Sequence, residues 1–320
     1  MNLPTLAIIV PCYNEEEVLP VTTKRLLQVL TRLIDESKIS NNSYILYVND
    51  GSSDNTWSLI KDFYKQENHV CGMSVAINCG HQNALIAGLS IASQNCDMAV
   101  TIDADLQDDE QSIHEMVQKY QEGCDIVYGV RRSRASDNWF KRNSAIGFYR
   151  VLELLGVKSV YNHADFRLMS KRAISYLLQF RERNLFLRGL VPMIGYKTAC
   201  VYYDRTERLA GESKYPLPKM VRLAFDGITS FSVKPIHLVL YSGVIFILIA
   251  LFILIWVLVV YCSKKTVPGW ASLMLSLWFC SGYTLIGLGI IGEYIGKIYI
   301  EVKDRPRYNI ETVLLHENQA

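Results

Sequence analysis

The sequence predicts an α/β domain, built on a mostly parallel sheet, that is followed by a membrane anchor. In the first 235 residues, apolar runs of strand length alternate with helical patterns, as in a parallel sheet covered by helices. Farther along, the stretches 238–262 and 271–291 contain no charged residue, and each is long enough to cross a bilayer. Half of the 320 residues are hydrophobic and the mean hydropathy is +0.13, which is high for a soluble enzyme.

Five strands and four helices are expected in the first part of the chain. The predicted strands are Leu6–Val10, Tyr44–Asn49, Met73–Ile77, Met98–Asp103 and Asp125–Gly129. The predicted helices are Val18–Ile34, Asp54–Glu67, His81–Ser93 and Gln111–Glu122. Pro20 fits the first helix only if it lies in the first turn, where its missing N–H costs nothing. Ligands of such sheets bind beyond the carboxyl ends of the strands, where Asp50, Asp103 and Asp105 are expected.

The chain divides into four predicted regions. These are a catalytic domain (1–215), an interfacial amphipathic helix (216–234), a transmembrane hairpin (235–296) and a C-terminal tail (297–320). An ordinary amphipathic core helix is the alternative for the second region. Basic residues flank the outer ends of the hairpin, whereas its connector holds only Lys264 and Lys265. This bias predicts a multi-pass plasma-membrane protein with the catalytic domain and both termini in the cytoplasm, and no signal peptide is expected.

Composition argues against several other classes of protein. A net charge of +2 and a pI near 8.0 do not indicate a nucleic-acid-binding surface. The eight cysteines are scattered, without zinc-ligand spacing, and are expected to be free thiols. A GxGxxG segment does not follow the first predicted strand, which argues against a dinucleotide-dependent oxidoreductase.

An acidic motif follows the fourth predicted strand. Asp103 and Asp105, with Gln107 close behind, come directly after the apolar run Met98–Ile102. Two carboxylates one residue apart at a strand end can face one hard cation, whose shell is completed by water and substrate phosphates. Such a cation would neutralise a diphosphate leaving group. A solvated acidic turn is the alternative when this motif is taken alone.

Two further motifs follow the first and second strands. Pro11-Cys12-Tyr13-Asn14-Glu15 ends the first apolar run, and Val48-Asn49-Asp50-Gly51-Ser52-Ser53-Asp54 ends the second. In the second motif, Gly51 allows a tight turn, Asp50 can accept a hydrogen bond from a base or ribose, and Asp54 is expected to cap the next helix. A capping box between Asn14 and Glu17 is an alternative for the first motif.

Taken together, the motifs PCYNEEE, VNDGSSD and DADLQDDE resemble those of inverting family 2 glycosyltransferases with the GT-A fold. Downstream segments resemble polyprenyl-phosphate glycosyltransferases of the bactoprenol glucosyltransferase and dolichol-phosphate mannose synthase type. These segments are 78–82 (NCGHQ), 128–131 (YGVR), 165–169 (DFRLM), 205–208 (RTER) and 211–215 (GESKY). The resemblance covers nearly the whole chain and implies a GT-A-type sheet followed by the interfacial helix and the transmembrane hairpin.

The resemblance implies transfer of a hexose, most simply glucose from UDP-glucose, to polyprenyl phosphate at the cytoplasmic membrane face. The residues implied to bind the nucleotide-sugar are Pro11, Tyr13, Glu15 and Asp50. Those implied to hold Mg²⁺ or Mn²⁺ and the diphosphate are Asp103, Asp105 and Gln107. The implied catalytic residues are Asp105, Arg131 and Asp165. A basic loop next to the membrane, expected to contact phosphate, contains Arg205, Arg208, Ser213 and Lys214.

Asp165 is interpreted as a positioning group. A phosphate acceptor has a second pKa near ~6 and is largely ionised at neutral pH, so a strong base is hardly needed. Asp165 is therefore expected to orient the acceptor or the sugar, and Arg167 to pair with it along one face of a strand. For His81, contact with the donor remains an open alternative.

Other interpretations of the function remain open. The donor sugar could be N-acetylglucosamine, galactose or mannose. A processive polysaccharide synthase is disfavoured because no Gln-x-x-Arg-Trp element is present, and a non-catalytic membrane scaffold has no need of the strand-end carboxylates. A homo-oligomer is also expected, because Gly282, Gly287, Gly289 and Gly292 would allow close helix packing.

Overall fold

A computed structural model describes residues 3–132, 163–183, 185–204, 269–316 and scattered positions between 236 and 255. The chain forms two compact units. The first contains the described residues up to 204 together with 305–316, and the second contains the described residues from 236 to 304.

The first unit is built on one eight-stranded sheet. Its strands are β1 (Leu6–Cys12), β2 (Tyr44–Asn49), β3 (Val70–Val75), β4 (Met98–Thr101), β5 (Ile126–Arg131), β6 (His163–Ser170), β7 (Thr198–Tyr203) and β8 (Ile310–Leu314). Their spatial order is β7-β5-β6-β4-β1-β2-β3-β8. Strands β4, β1, β2 and β3 run parallel, and so do β5 and β7. The pairs β4–β6, β5–β6 and β3–β8 are antiparallel, so the expected mostly parallel sheet is in fact mixed.

Helices accompany the sheet, as the alternating sequence pattern predicts. In the first unit they are α1 (Leu19–Asp35), α2 (Thr56–Gln66), α3 (His81–Asn95), α4 (Ser112–Gln121), α5 (Lys171–Leu177) and α6 (Leu187–Met193). All five predicted strands and all four predicted helices are present, with ends displaced by a few residues. Pro20 lies in the first turn of α1, as predicted. The α/β class is therefore confirmed.

The core explains why these segments fold as they do. Every residue of β1, β2 and β3 is buried, as expected for parallel strands covered on both faces. Helix α1 buries Leu19, Leu26, Leu30 and Leu33, which repeat at helical spacing and form one stripe against the sheet.

Strand β6 enters the sheet between β4 and β5 and runs antiparallel to both. Its pairing with β4 matches Met98 with Ser170 and Thr101 with Arg167. Asp103 lies two residues beyond the end of β4 and Asp165 two residues before Arg167, and both carboxylates are close to His81. The Thr101 hydroxyl donates to the Asp165 carbonyl at 2.6 Å and holds the two strands together at this level.

The C-terminal residues add an edge strand that sequence analysis treated as part of a tail. Strand β8 pairs with β3, and beyond it the ring of His316 stacks on Tyr64 at 4.3 Å. A His316 ring nitrogen also lies 3.1 Å from the carbonyl of Val70. Strand β8 was not predicted within the tail 297–320, because a five-residue strand next to no motif gives only a weak pattern.

The second unit contains α7 (Trp270–Val302), which includes the predicted span 271–291 and extends beyond it. In the part of the chain that the structure describes, no helix is sufficiently long and apolar to cross a membrane. Much of the predicted span 238–262 and the whole predicted interfacial helix 216–234 lie outside the described residues. The transmembrane hairpin and the homo-oligomer therefore stay predictions.

Gly129 lies in β5, where a residue of β6 and a residue of β7 approach its backbone closely. A methyl group added there would lie 2.7 Å from Cδ1 of Phe166, 2.9 Å from the Phe166 carbonyl oxygen and 3.1 Å from Cε1 of Tyr203. Gly129→Ala is therefore expected to lower the free energy of unfolding by about 1–3 kcal/mol through overpacking. Urea unfolding measures this loss. Thr198→Ala, at an exposed position of β7, is the control and should change stability by less than about 0.5 kcal/mol.

Candidate active site

The loops that follow β1 and β2 are joined by hydrogen bonds at the carboxyl edge of the sheet. The Asn14 N–H donates to Ser52 Oγ at 3.0 Å, and the Ser53 N–H donates to Asn14 Oδ1 at 2.9 Å. Asn14 has a φ of 54°, a left-handed conformation that asparagine tolerates better than most residues. Helix α1 begins without a side-chain cap, so the capping-box alternative for Asn14 and Glu17 was wrong.

The same two loops are also tied together farther along. The Glu15 N–H donates to Thr56 Oγ1 at 2.9 Å, and the Asn55 N–H donates to Glu16 Oε2 at 2.9 Å. Asp54 accepts from the Thr56 N–H at 3.0 Å just before α2, but the N-cap position of α2 is Asn55, which makes no side-chain cap, so Asp54 is not the N-cap that was predicted. This network gives the loops a fixed shape before any ligand binds.

Two residues expected to bind nucleotide lie on this edge in different environments. Pro11 is buried within β1, whereas the Tyr13 side chain projects from the loop and is 45 % exposed. Tyr13 is thus available for stacking on a base, while Pro11 is placed to shape the strand end. Nucleotide binding by Pro11, Tyr13 and Glu15 stays a prediction.

Asp50, another predicted nucleotide ligand, is buried and bound to the loop after β3. Its Oδ1 accepts from the Cys79 N–H at 2.7 Å and from the Cys79 thiol at 3.1 Å, and its Oδ2 accepts from the Gly80 N–H at 3.0 Å. Burial, assisted by Asp50, raises the pKa of Cys79 to about 12, so the thiol remains a donor. Asp50 therefore organises loop 78–80, and any contact with the nucleotide would be additional.

Gly51 is required by this arrangement. Its φ is +66°, and a Cβ at this position would lie 2.7 Å from the backbone nitrogen of Asn78. Only glycine combines the left-handed conformation with so close an approach of a second backbone. The predicted tight turn at Gly51 is thus confirmed.

The acidic motif forms a turn after β4. The Gln107 N–H donates to Asp105 Oδ1 at 3.2 Å, and the Thr22 hydroxyl of α1 donates to the Ala104 carbonyl at 2.7 Å. Leu106 has a φ of 51° within this turn. The turn leaves Asp103 and Asp105 partly exposed at the sheet edge.

His81, at the start of α3, lies between the carboxylates of Asp103, which follows β4, and Asp165 of β6. Its Nε2 is 3.6 Å from Asp103 Oδ1 and 3.9 Å from Asp165 Oδ2. Although 40 % of the Asp103 side chain is exposed, loss of hydration raises its pKa to about 6. His81 opposes this rise, and the neighbouring carboxylates of Asp108, Asp165 and Asp105 add to it. A crowd of carboxylates of this kind favours a cation.

Asp165 is held by two guanidinium groups. Arg167 Nη2 lies 2.6 Å from Asp165 Oδ1, which confirms the predicted pair, and Arg188 Nη2 lies 3.0 Å from Asp165 Oδ2. Burial favours the neutral acid, but Arg188, Arg167 and His81 outweigh it and hold the pKa of Asp165 well below its ordinary value. Asp165 is consequently an ionised anchor at neutral pH and a very weak base.

Arg131, expected to face a phosphate, is turned toward a buried carboxylate. Its Nη2 lies 2.8 Å from Oδ1 of Asp108, whose side chain is only 1 % exposed. The Tyr203 hydroxyl donates to the same oxygen at 2.5 Å and also lies 3.4 Å from Arg131 Nε. Burial lowers the pKa of Arg131, but Asp108 and Tyr203 reverse this effect and raise it. In this structure Arg131 therefore pairs with a buried anion, and its contact with phosphate stays a prediction.

The remaining predicted ligands are those of the metal and those of the basic loop. Among the described residues, no three His, Cys, Asp or Glu side chains converge on one point as a ready-made metal site. A cation at Asp103 and Asp105 would thus need oxygen ligands from substrate and water. The basic-loop prediction falls on positions outside the described residues: Arg205, Arg208, Ser213 and Lys214.

Two residues of this site were not singled out by sequence analysis. Asp108 lies in the acidic run DADLQDDE, so its type was visible but its burial was not. Arg188 follows the apolar pair Phe186-Leu187, and no motif marks it. Its position beside Asp165 depends on the packing of α6 next to β6, which the local sequence does not show.

Comparison with known proteins agrees with this geometry. Residues 7–178 match the model of Glycosyl transferase family 2, which includes the strand-end loops and Asp165. The chain belongs to glycosyltransferase family 2 and is a glycosyltransferase.

Curated relatives match over nearly the whole length. The chain is 52 % identical to YkoT, an uncharacterized glycosyltransferase of Bacillus subtilis (strain 168), over 98 % of this chain and 93 % of that protein. It is 38 % identical to the SfII prophage-derived bactoprenol glucosyl transferase of Shigella flexneri, over 96 % of this chain and 97 % of that protein. Among solved structures, the mannosyltransferase PcManGT from Pyrobaculum calidifontis aligns with a TM-score of 0.44 and 16 % identity, covering 96 % and 89 % of the two chains.

The state of Asp165 leads to a prediction about pH. Asp165→Asn should reduce sugar transfer on the order of 100-fold, because the two guanidinium groups lose their anchor. Raising the pH from about 6 to about 9 should not restore the activity. Asp165 of the wild-type protein is ionised throughout this range, so the substitution removes an anchor and not a base. Initial rates across this range test the prediction, and a single essential base with a pKa near neutrality would contradict it.

The control for this substitution is Asp125→Asn. Asp125 also pairs with an arginine, Arg172, but it is buried and lies beside Ser170 at the opposite end of β6. The depressed pKa of Asp125 or Asp165 implies a stability contribution that is complete above the unfolded value of about 3.9 and disappears as pH falls through the lower folded value. Both variants should therefore lose a constant amount of stability across the assay range, and only Asp165→Asn should lose activity.

Proposed function

We propose that this glycosyltransferase moves a hexose, most simply glucose from UDP-glucose, onto a polyprenyl phosphate with inversion at the anomeric carbon. The observation that carries the proposal is the opposed pair Asp103 and Asp165. Asp103, together with Asp105, is suited to a metal-bound diphosphate on the side of the proposed nucleotide. Arg167 and Arg188 lie on the other side and bind Asp165. The name of the Shigella flexneri relative supports glucose as the sugar and bactoprenol as the lipid.

The transfer needs no protein base. An ionised oxygen of the acceptor phosphate attacks the anomeric carbon, the bond from that carbon to the diphosphate breaks, and the electron pair leaves with UDP. The products are the polyprenyl-phosphate sugar and UDP, and no proton has to be removed. The protein contributes by holding both reactants in line and by stabilising charge.

Divalent metal use is part of the proposal. Asp103 and Asp105 offer hard carboxylate oxygens one residue apart, and Gln107 follows them in the same turn. Loss of hydration raises the pKa of Asp103, and the neighbouring carboxylates add to this rise; bound Mg²⁺ or Mn²⁺ would offset their negative charge. When bound, such a cation would neutralise charge on the leaving diphosphate.

A membrane location completes the proposal. It is supported by the uncharged stretches 238–262 and 271–291, by the basic residues at their outer ends and by a lipid-linked acceptor. We expect the catalytic domain to face the cytoplasm and the hairpin to be multi-pass. In alkaline carbonate extraction of membranes, the full-length protein should stay in the pellet, and release into the supernatant would contradict a membrane-spanning hairpin.

A lipid-extraction assay tests the reaction. Purified protein with undecaprenyl phosphate, Mg²⁺ or Mn²⁺ and radiolabelled UDP-glucose should form a labelled lipid that mild acid cleaves. EDTA and Asp105→Ala should each reduce the label on the order of 100-fold or more, because the diphosphate loses its counter-charge. UDP-N-acetylglucosamine, UDP-galactose and GDP-mannose in parallel reactions identify the donor. Glu122→Ala, on the exposed end of α4, is the control and should keep full activity.

The outcomes separate the alternatives. Label in a lipid from another donor keeps the acceptor assignment and changes the sugar. Label in a growing polymer would favour a processive synthase. No labelled lipid with any donor, in a folded sample, would reject polyprenyl phosphate as the acceptor.

A further inference from the structure

Thr22, near the start of α1, lies against the acidic turn that follows β4. Its side chain is buried, and its hydroxyl donates to the Ala104 carbonyl at 2.7 Å. Ala104 stands between Asp103 and Asp105, the two proposed metal ligands, and is itself only 4 % exposed. A side chain of α1 is thus bonded to the peptide group that joins the two carboxylate residues.

The Thr22 hydroxyl is directed more to this turn than to its own helix. Its oxygen also lies 3.1 Å from the Val18 carbonyl, but that carbonyl already accepts from the Thr22 N–H at 3.1 Å. A hydroxyl has one hydrogen to donate, and the shorter distance is the one to the Ala104 carbonyl. The bond to the acidic turn is therefore the stronger of the two.

The orientation of the Ala104 carbonyl restrains the geometry of the two carboxylates. Because a peptide group is planar, holding its carbonyl restrains ψ of Ala104 and φ of Asp105 together. Both angles affect the direction of the Asp105 side chain relative to that of Asp103. A rotation of this peptide would change the spacing of the carboxylates, and Mg²⁺ in particular demands near-ideal ligand geometry.

The turn has a backbone that requires such a restraint. Leu106, directly after Asp105, has a φ of 51°, a left-handed conformation that is uncommon for a leucine. A backbone in this region persists only where surrounding structure holds it. The Gln107 N–H, which donates to Asp105 Oδ1 at 3.2 Å, restrains the turn after Asp105, and the Thr22 hydroxyl restrains it before Asp105.

A second contact joins α1 to the acidic segment. Arg25, three residues after Thr22, places Nη1 at 3.7 Å from Glu110 Oε1, and its side chain is 42 % exposed. Solvent screens an ion pair of this kind, so that it contributes little. Of the two contacts, the buried hydroxyl bond is therefore the one suited to position the turn.

We propose that Thr22 is a positioning residue for the divalent cation, whose hydroxyl orients the peptide between Asp103 and Asp105 so that both carboxylates reach one ion. The inference rests on the proposed function, since it concerns the metal of that reaction. Thr22 is fully buried and acts through Ala104. The loops proposed to bind the nucleotide are tied by hydrogen bonds of their own, so loss of the Thr22 hydroxyl should affect the metal selectively.

Titration of Mn²⁺ into the full-length protein saturated with UDP measures this role, after Mn²⁺ binding to UDP alone has been subtracted. Thr22→Val keeps the shape of the side chain and removes the donor. It should raise the Kd for Mn²⁺ about 10-fold, as the loss of a hydrogen bond behind a metal site does. In the transfer reaction, the Mn²⁺ concentration for half-maximal rate should rise similarly, whereas kcat at saturating Mn²⁺ should stay within about twofold of the wild-type value.

Two further variants of Thr22 complete the series. Thr22→Ser keeps the hydroxyl, and its Mn²⁺ affinity should lie within about threefold of the wild-type value. Thr22→Ala removes the hydroxyl and suits a helix, so it gives the same measurement if Thr22→Val does not fold.

Thr23→Val is the matched control. Thr23 is the next residue of α1 and is also buried, and its hydroxyl lies 2.8 Å from both the Leu19 carbonyl and the Tyr47 hydroxyl. The substitution therefore removes a buried hydrogen bond of the same kind, but one directed to β2 and not to the acidic turn. Its melting temperature should fall about as far as that of Thr22→Val, while its Mn²⁺ affinity stays at the wild-type value.

The outcomes separate the assignment from the proposed function. Wild-type Mn²⁺ affinity in Thr22→Val would overturn the assignment, and so would an equal loss of affinity in Thr23→Val, because a weakened helix would then be the cause. In both cases the proposed function stands. Absence of Mn²⁺ binding by the wild-type protein with UDP would reject divalent metal use in the proposed function, and the assignment with it.

Discussion

The opposition of Asp103 and Asp165 across β4 and β6 is the constraint on which the rest of the site depends. Two carboxylates this close to each other repel unless positive charge is placed beside them. The protein supplies them unevenly: Arg167 and Arg188 bind Asp165, and His81 lies between both acids. As a result Asp165 is firmly ionised, whereas the pKa of Asp103 is raised to about 6. Asp165 is thus paired within the protein, and Asp103 is the acid at which the proposed cation would bind.

On the side of the proposed nucleotide, polar groups bind one another and thereby fix the shape of the loops. Asp50 uses both oxygens on loop 78–80, and Asn14 uses its backbone and side chain to join two loops. Each bond satisfies a group that would otherwise lose solvation without compensation near the buried strand ends. The edge that would receive a nucleotide is thus formed in advance, which lowers the entropic cost of binding. Residues that sequence comparison marks as ligands can therefore act as scaffolding for the ligand site.

Sequence patterns predicted the part of the fold in which alternation is regular. Strands β1 to β5 and helices α1 to α4 were visible because mainly apolar strands alternate with helices, of which α1, α2 and α4 are amphipathic. Strand β6 was recognised only through the pair Asp165 and Arg167, because a buried arginine breaks the apolar pattern of a strand. Strand β8 is too short and too far along the chain to be paired with β3 by pattern alone. Arg188 was missed for a related reason: its role depends on a tertiary neighbour, and local sequence does not contain that information.

The charge arrangement also bears on the proposed transfer without a catalytic base. A base near neutrality requires a carboxylate whose pKa is raised, and Asp165 has the opposite shift. A phosphate acceptor supplies its own anion, so the difficult requirement is to bring that anion next to a donor that is also anionic. The proposed cation after β4 would meet the charge of the donor diphosphate, while Arg167 and Arg188 bind Asp165 on the β6 side. The low pKa of Asp165 then follows from its role as an anchor, because a carboxylate that stays ionised across the working pH range keeps both guanidinium groups in place.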